Sequence, residues 1–355
     1  MSDGREDEAP ARAPLEYPFA TVPEPGKPAE VAPGVYWLRM PLPYQLNHIN
    51  LWAIDDGAGW AVVDTGTRTD AVAATWRELF TLSTDARKIS RVFVTHMHPD
   101  HIGMAGWLTR KFGARLWITR LEYLNCRVMV NDTGREAPAD ATEFYRRAGW
   151  GEAAIETYRT RFGNFGKHIH PLPDSYRRLH DGEVIRIGAH DWHVIVGNGH
   201  SPEHACLHCP ALKLLISGDQ VLPRISSNVS VYPLEPDADP LGDWTASLAK
   251  IERLVPDDVL VLPSHNEPFR GLHRRIEALR RGQEVALTRL RRALAEPKRA
   301  IDVFGALFAR AIPETDVPLL GMATGESLAS LNWLLARGEA VREAGADGVD
   351  RYRMV

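Results

Sequence analysis

The stretch Arg91-Val92-Phe93-Val94-Thr95-His96-Met97-His98-Pro99-Asp100-His101 decides how the rest of the chain is read. Val92 to Thr95 have the apolar, β-branched character of a buried strand, and they run directly into four metal-type donors within six residues. Imidazole nitrogens and carboxylate oxygens are what zinc takes, and a tight turn after a rigid strand can aim several of them at one point. The spacing predicts that His96 and His98 approach one ion from the same side of the turn, while Asp100 and His101 reach a second ion nearby.

Three further donors lie downstream. His200 sits in Gly197-Asn198-Gly199-His200-Ser201, where small residues let the backbone come close to a site. Asp219 follows the strand-like Lys213-Leu214-Leu215-Ile216-Ser217, and one carboxylate can bridge two cations. His265 follows Val259-Leu260-Val261-Leu262-Pro263 in the same way. Each alone is weak, since most histidines are surface or hydrogen-bonded core residues. Together with the cluster at 96–101 the seven agree in ligand type and in placement at strand ends. Cys206 and Cys209 form a C-x2-C pair with no second pair, so buried packing is the expectation for them. His204 and His208, in the same strand-like run, are expected to face outward or to back the liganding residues. There is no G-x-S-x-G nucleophile elbow and no Gly-rich phosphate loop.

Around these donors the chain reads as a layered α/β protein. Val35–Met40, Ile49–Ile54 and Trp60–Asp64 are short strand-like runs separated by Pro or Asp-Gly punctuation, followed by a helical stretch from about Asp70 to Leu82. Residues 1–32, rich in Pro, Ala and Glu, are expected to be a flexible arm. Residues 33–271 are read as the catalytic domain, with a helical insertion at about 121–178. Residues 272–355 are read as a small helical unit, opened by the amphipathic row Leu272, Ile276, Leu279, Leu287, Leu290 and Leu294. The 355 residues carry a formal charge of −4 and three cysteines, which argues against a disulfide framework and gives no global pull toward nucleic acid. No run reaches the ~18 apolar residues of a membrane helix, and the acidic start lacks a basic-then-apolar export pattern. A cytoplasmic protein without a membrane partner is the expectation; the oligomeric state, a homodimer among the options, is not legible.

The ordered set H-x-H-x-D-H, G-x-G-H, G-D and S-H, preceded by Val63-Asp64-Thr65-Gly66, resembles the metallo-β-lactamase superfamily over about residues 33–270. The resemblance implies an αββα sandwich with the site at one edge of two facing sheets. It implies two divalent metals, zinc first and manganese or iron as alternatives. His96, His98 and His200 would hold one ion, Asp100, His101 and His265 the other, with Asp219 between them and Asp64 orienting a liganding histidine. The expected chemistry is attack by a hydroxide shared between the metals, with Asp100 and Asp219 as the catalytic carboxylates.

The tail, Gly325-Glu326-Ser327-Leu328-Ala329-Ser330-Leu331-Asn332-Trp333-Leu334 with Gly348-Val349-Asp350-Arg351-Tyr352, resembles the winged-helix tail of the β-lactamase-like protein 2 group, near the glyoxalase II-like enzymes. That group implies hydrolysis of a small thioester, ester or lactone. The alternative is a single-stranded RNA endonuclease, for which ten Arg or Lys against three Glu in residues 270–299 offer a basic stripe. β-Lactam hydrolysis ranks below both, because such enzymes are normally exported. Asn228 and Tyr232, shortly after Asp219, are candidate substrate contacts. So is Tyr145, one of the insertion's aromatics with Tyr123, Phe144, Trp150, Tyr158, Phe162 and Phe165, a set that suits a lid over an apolar group and equally ordinary helix packing.

Overall fold

A computed structural model describes residues 14–43, 46–57, 59–81 and 88–355. Strands β1 (Ala29–Ala32), β2 (Val35–Pro41), β3 (His48–Asp55) and β4 (Gly59–Val63) form an antiparallel meander. Helix α1 (Asp70–Thr81) carries the chain back to β5 (Lys88–Phe93), parallel to β4, as a parallel pair requires; Leu82 lies outside the described residues. Short α2 (Pro99–Ile102) and α3 (Ala105–Phe112) lead to β6 (Arg115–Ile118). Helices α4 (Arg120–Asn131), α5 (Ala139–Ala148) and α6 (Glu152–Arg161) precede β7 (Arg177–Arg178), which completes a seven-stranded sheet in sequential order.

The second sheet has β8 (Val184–Ile187), β9 (His190–Gly197), β10 (His204–Cys209) and β11 (Leu214–Gly218) in an antiparallel run. Helix α7 (Pro240–Leu254) crosses to β12 (Leu260–Pro263), parallel to β11, giving five strands ordered β12-β11-β10-β9-β8. The chain ends in α8 (Leu272–Ala293), α9 (Phe304–Leu307), α10 (Val317–Ala336) and the hairpin β13 (Ala340–Ala344) and β14 (Asp350–Met354).

The two-residue period of the strands sorts the core. Trp37, Trp52, Val63 and Phe93 point at the opposite sheet and meet Leu207, Ile216 and Leu262. Their neighbours Leu38, Leu51, Val62 and Val92 point away, onto Val72 and Trp76 of α1 and Leu108 of α3. On the other sheet Ile195, Cys206, Leu215 and Val261 turn toward Trp244 and Leu248 of α7 and Ile276 of α8. The result is the αββα sandwich. Cys206 belongs to the helix-facing cluster and Cys209 to the inter-sheet one, because residues three apart on a strand point to opposite faces. They cannot share a metal, and burial pushes the Cys206 thiol up to about 12.

Two boundaries differ from the sequence reading. Part of the N-terminal arm is built into the body: Ala29–Ala32 pair with β2, and Glu16 bridges Arg270. Backbone pairing supplies there what side-chain hydrophobicity does not. The C-terminal segment is not set apart either, since Leu287, Leu290, Leu328, Leu331 and Tyr352 lie in the same buried cluster as Leu215 and Trp244 of the second sheet layer. No helix among the described residues is long and apolar enough to cross a membrane.

Candidate metal centre

All seven sequence-named donors meet at one edge of the sandwich. Parallel pairing of β4 with β5 and of β11 with β12 brings their C-terminal ends to the same edge, and the antiparallel β9 ends there in its 197–200 turn. Pro99 opens α2 directly after His98, so the turn tightens and His101 swings back beneath His96; the two ring centroids are 3.9 Å apart. Gly199 adopts φ +97°, and a Cβ there would stand 2.4 Å from Pro240 O, so only glycine lets the His200 turn lie against the start of α7.

Three donor groups are drawn together: His96 with His98 and His200, His96 with His101 and Asp219, and Asp100 with His101 and His265, each set with its ligand atoms within 4.8 Å. His96 Nε2 lies 2.9 Å from His98 Nδ1 and 3.2 Å from His200 Nε2. The Asp219 carboxylate is 3.6 Å from His101 Nε2, 3.6 Å from His200 Nε2 and 3.5 Å from His265 Nε2. Asp100 Oδ2 is 3.4 Å from His265 Nε2.

The far side of four of the rings is held by a hydrogen bond. His101 Nδ1–H donates to Asp64 Oδ2 at 2.8 Å, His200 Nδ1–H to Asn228 O at 2.7 Å and His265 Nδ1–H to His48 O at 3.1 Å. Thr95 Oγ1 gives its proton to Asp64 and accepts from His96 Nδ1–H at 3.0 Å. These bonds fix the tautomers and leave the Nε2 lone pairs of His96, His101, His200 and His265 facing inward. Facing lone pairs at 3.2 Å repel unless a cation lies between them. Ligands at ~2.0–2.1 Å in a tetrahedral shell stand about 3.3 Å apart, which is close to the spacing seen. His101 Nε2 and Asp219 Oδ1 are moreover buried with no hydrogen-bond partner. The donor set therefore fits divalent cations.

The electrostatics agree. Burial, with neighbouring histidines, holds His96 well below its ordinary value and His98 down at about 3, so both are neutral donors. Burial would also lower His101 and His265, but the surrounding carboxylates outweigh it, raising His101 well above the usual range and His265 to about 10. Burial would raise Asp100 and Asp219, yet the same histidines reverse it, leaving Asp100 at about 2. The two carboxylates and the histidines beside them thus stabilise one another's charge, as a site that takes a cation requires.

Several supporting residues carry no signal in the sequence. Fully buried Glu122 on α4 accepts the Met97 N–H at 2.8 Å and the Glu203 N–H at 2.7 Å, tying the 96–101 turn to the 200–203 turn. Asn50 accepts from Trp37 Nε1 and donates to Pro263 O and Asn266 O, bracing the His265 loop across the sheets. His204 and His208 are both buried, so the outward-facing reading is corrected: β10 is covered on both faces. His204 Nε2 accepts the Asp219 N–H at 3.1 Å and so backs that carboxylate. Asn228 is also placed as a support, its carbonyl on His200 and its side-chain amide on Glu326. Tyr145 is buried against Trp150 and Tyr158, and this cluster packs on Val317 and Leu320 of α10, which accounts for it without a substrate. Tyr232 is half-exposed.

Comparison with known proteins places these features. The metallo-beta-lactamase superfamily profile matches residues 45–265, and a metallo-beta-lactamase-like C-terminal domain profile matches residues 287–355. The chain belongs to the metallo-β-lactamase superfamily. It is similar to a beta-lactamase domain protein from Burkholderia ambifaria of known structure, 43% identical, covering 96% of this chain and 98% of that one with a TM-score of 0.87. A metallo-beta-lactamase family protein from Thermus thermophilus is 26% identical, covering 92% of this chain and 100% of that one with a TM-score of 0.76. The Bacillus subtilis (strain 168) protein described as "Probable metallo-hydrolase YqjP" is 23% identical over 288 residues, 76% of this chain and 84% of that protein. A metal-dependent hydrolase is the activity class these matches and the His/Asp cluster support together.

Proposed function

We propose that this chain is a dinuclear-metal-dependent hydrolase of a small thioester, ester or lactone, of the glyoxalase II-like or β-lactamase-like protein 2 kind. His96, His98 and His200 would hold one ion and Asp100, His101 and His265 the other. The observation that carries the reading is Asp219, whose carboxylate lies within 3.6 Å of imidazole nitrogens from both triads, so that it could serve an ion held by either. A pair of divalent ions, zinc or alternatively manganese or iron, lowers the pKa of bound water toward neutrality and polarises a carbonyl oxygen. The side chains do the rest. Asp64, Asn228 and His48 hold the rings in register, buried His96 and His101 keep the floor dry, and partly exposed Asp100 remains a carboxylate that accepts a hydrogen bond from entering water.

The helices and hairpin of residues 272–355 support a winged-helix-like tail, and part of the basic stripe at its start is engaged within the chain. Arg270, Arg274 and Arg275 donate to backbone carbonyls, while Arg280, Arg291 and Arg299 pair with Glu252, Glu339 and Asp302. Ion pairing at Arg280, Arg291 and Arg299 lowers what those three side chains could offer a phosphate track, which favours the small-molecule reading. Purified wild-type protein should carry two divalent ions per chain, and Asp219→Ala should lose at least one together with about a hundredfold or more in turnover. A screen across acyl thioesters, lactones, β-lactams and single-stranded RNA should show its largest kcat/KM on the first two. Full metal content and normal turnover in Asp219→Ala would remove the bridging role, and a preference for RNA would replace the substrate class.

A further inference from the structure

The tail motif Gly325-Glu326-Ser327 is more than 100 residues along the chain from His200, yet only one residue separates them in space. Val231 N–H donates to Gly325 O at 3.0 Å, and a Cβ on Gly325 would stand 2.7 Å from Ser230 Cβ, so glycine is what lets the 228–231 loop lie on α10. The Asn228 side-chain amide donates to Glu326 Oε1, while Ser230 Oγ donates to Asn228 Oδ1 at 2.7 Å. Held from both ends, Asn228 presents its carbonyl to His200 Nδ1–H at 2.7 Å. The His200 ring angle is only as well fixed as that carbonyl, and the carbonyl is only as well fixed as the clamp on its own side chain.

We infer that Glu326 is a positioning residue for the metal centre: through Asn228, helix α10 of the C-terminal segment sets the direction of the His200 Nε2 lone pair. This rests on the reading of His200 as a ligand. Burial pushes the Glu326 carboxyl up to about 7, so near neutrality much of it is uncharged. An uncharged carboxyl accepts the Asn228 N–H as a carboxamide oxygen would, which makes Glu326→Gln the conservative variant.

The test loads full-length protein with cobalt(II) and reads affinity by titration and ligand geometry by visible absorption. In Glu326→Ala one cobalt should bind about tenfold more weakly with an altered spectrum, as loss of an outer support usually does. Glu326→Gln should restore both. Asn228→Ala should match Glu326→Ala, and the double variant should be no weaker than either single one, because both cut the same link. The inference is overturned if Glu326→Ala or Asn228→Ala keeps wild-type affinity and spectrum, if Glu326→Gln is as weak as Glu326→Ala, or if the double variant is additive. Should Glu326→Ala fail to fold, Asn228→Ala and Glu326→Gln decide by the same criteria. Wild-type protein that takes up no cobalt overturns the metal reading itself, whereas two cobalt ions bound equally by wild type and variants overturns the positioning role alone.

Discussion

At the residue scale the site is built from outward-facing bonds that aim inward-facing lone pairs. Asp64 shows how: it takes φ +64°, a conformation open to few residues besides glycine and Asn/Asp, and folds its carboxylate back onto Thr95 N–H, Thr95 Oγ1–H and His101 Nδ1–H. Glu122 does comparable work for the two turns at a different cost. Burial raises its carboxyl to about 7, against an ordinary 4.5, despite two backbone N–H donors that pull it down. The folded state therefore keeps its proton between those values while the unfolded state has lost it, so this contribution is present below 4.5 and is lost as pH rises through 7. At about 1.4 kcal/mol per unit, wild type should lose about 3 kcal/mol relative to Glu122→Gln between about pH 4 and pH 8, measured by urea denaturation of both at each pH. Parallel pH profiles of the two proteins would show that Glu122 is ionised throughout.

At the scale of elements, the donors depend on turns at strand ends more than on the strands. The 197–200 turn rests on the first half of α7, with Asn198 N–H donating to Ser247 Oγ at 2.8 Å. A Cβ on Gly199 would approach Trp244 N to 2.5 Å as well as Pro240 O. Gly199→Ala should therefore cost about 2–4 kcal/mol through combined strain and overpacking, and weaken metal binding because His200 rides on the displaced turn. Thermal denaturation with and without added zinc would read both effects. An unchanged melting temperature would mean that the turn has room to relax. The turns that carry the donors were legible in the sequence, from apolar strand-like runs that stop shortly before His96, Asp219 and His265. The supports on α4 and α10 were not, because Glu122 and Glu326 look like ordinary charges on amphipathic helices until the fold brings backbone N–H groups and Asn228 to them.

At the scale of the whole molecule, the C-terminal segment shares its core with the second sheet, through Leu287, Leu290, Leu331 and Tyr352 packed with Leu215, Trp244 and Leu248. Asn332 adds a polar tie, its amide donating to Pro236 O and Ala238 O. Because this cluster is shared, calorimetry should give no separate transition for the C-terminal segment. A chain cut after residue 286 should fail to accumulate as folded protein, since it would expose the apolar faces of α7 and α8. Two resolved transitions, or a stable truncated domain, would show that the shared cluster is a weak interface.

The sequence by itself determined the donors, their order and the two-residue alternation that makes a layered sandwich, because ligand chemistry and strand periodicity are local properties of the residues. Only the tertiary structure decided which second partners aim those donors, that β10 is covered on both faces, and that the tail is part of the core. Those are contacts between residues tens to hundreds of positions apart, and nothing in the local chemistry of Glu122, Asn50 or Glu326 names the partner that folding delivers.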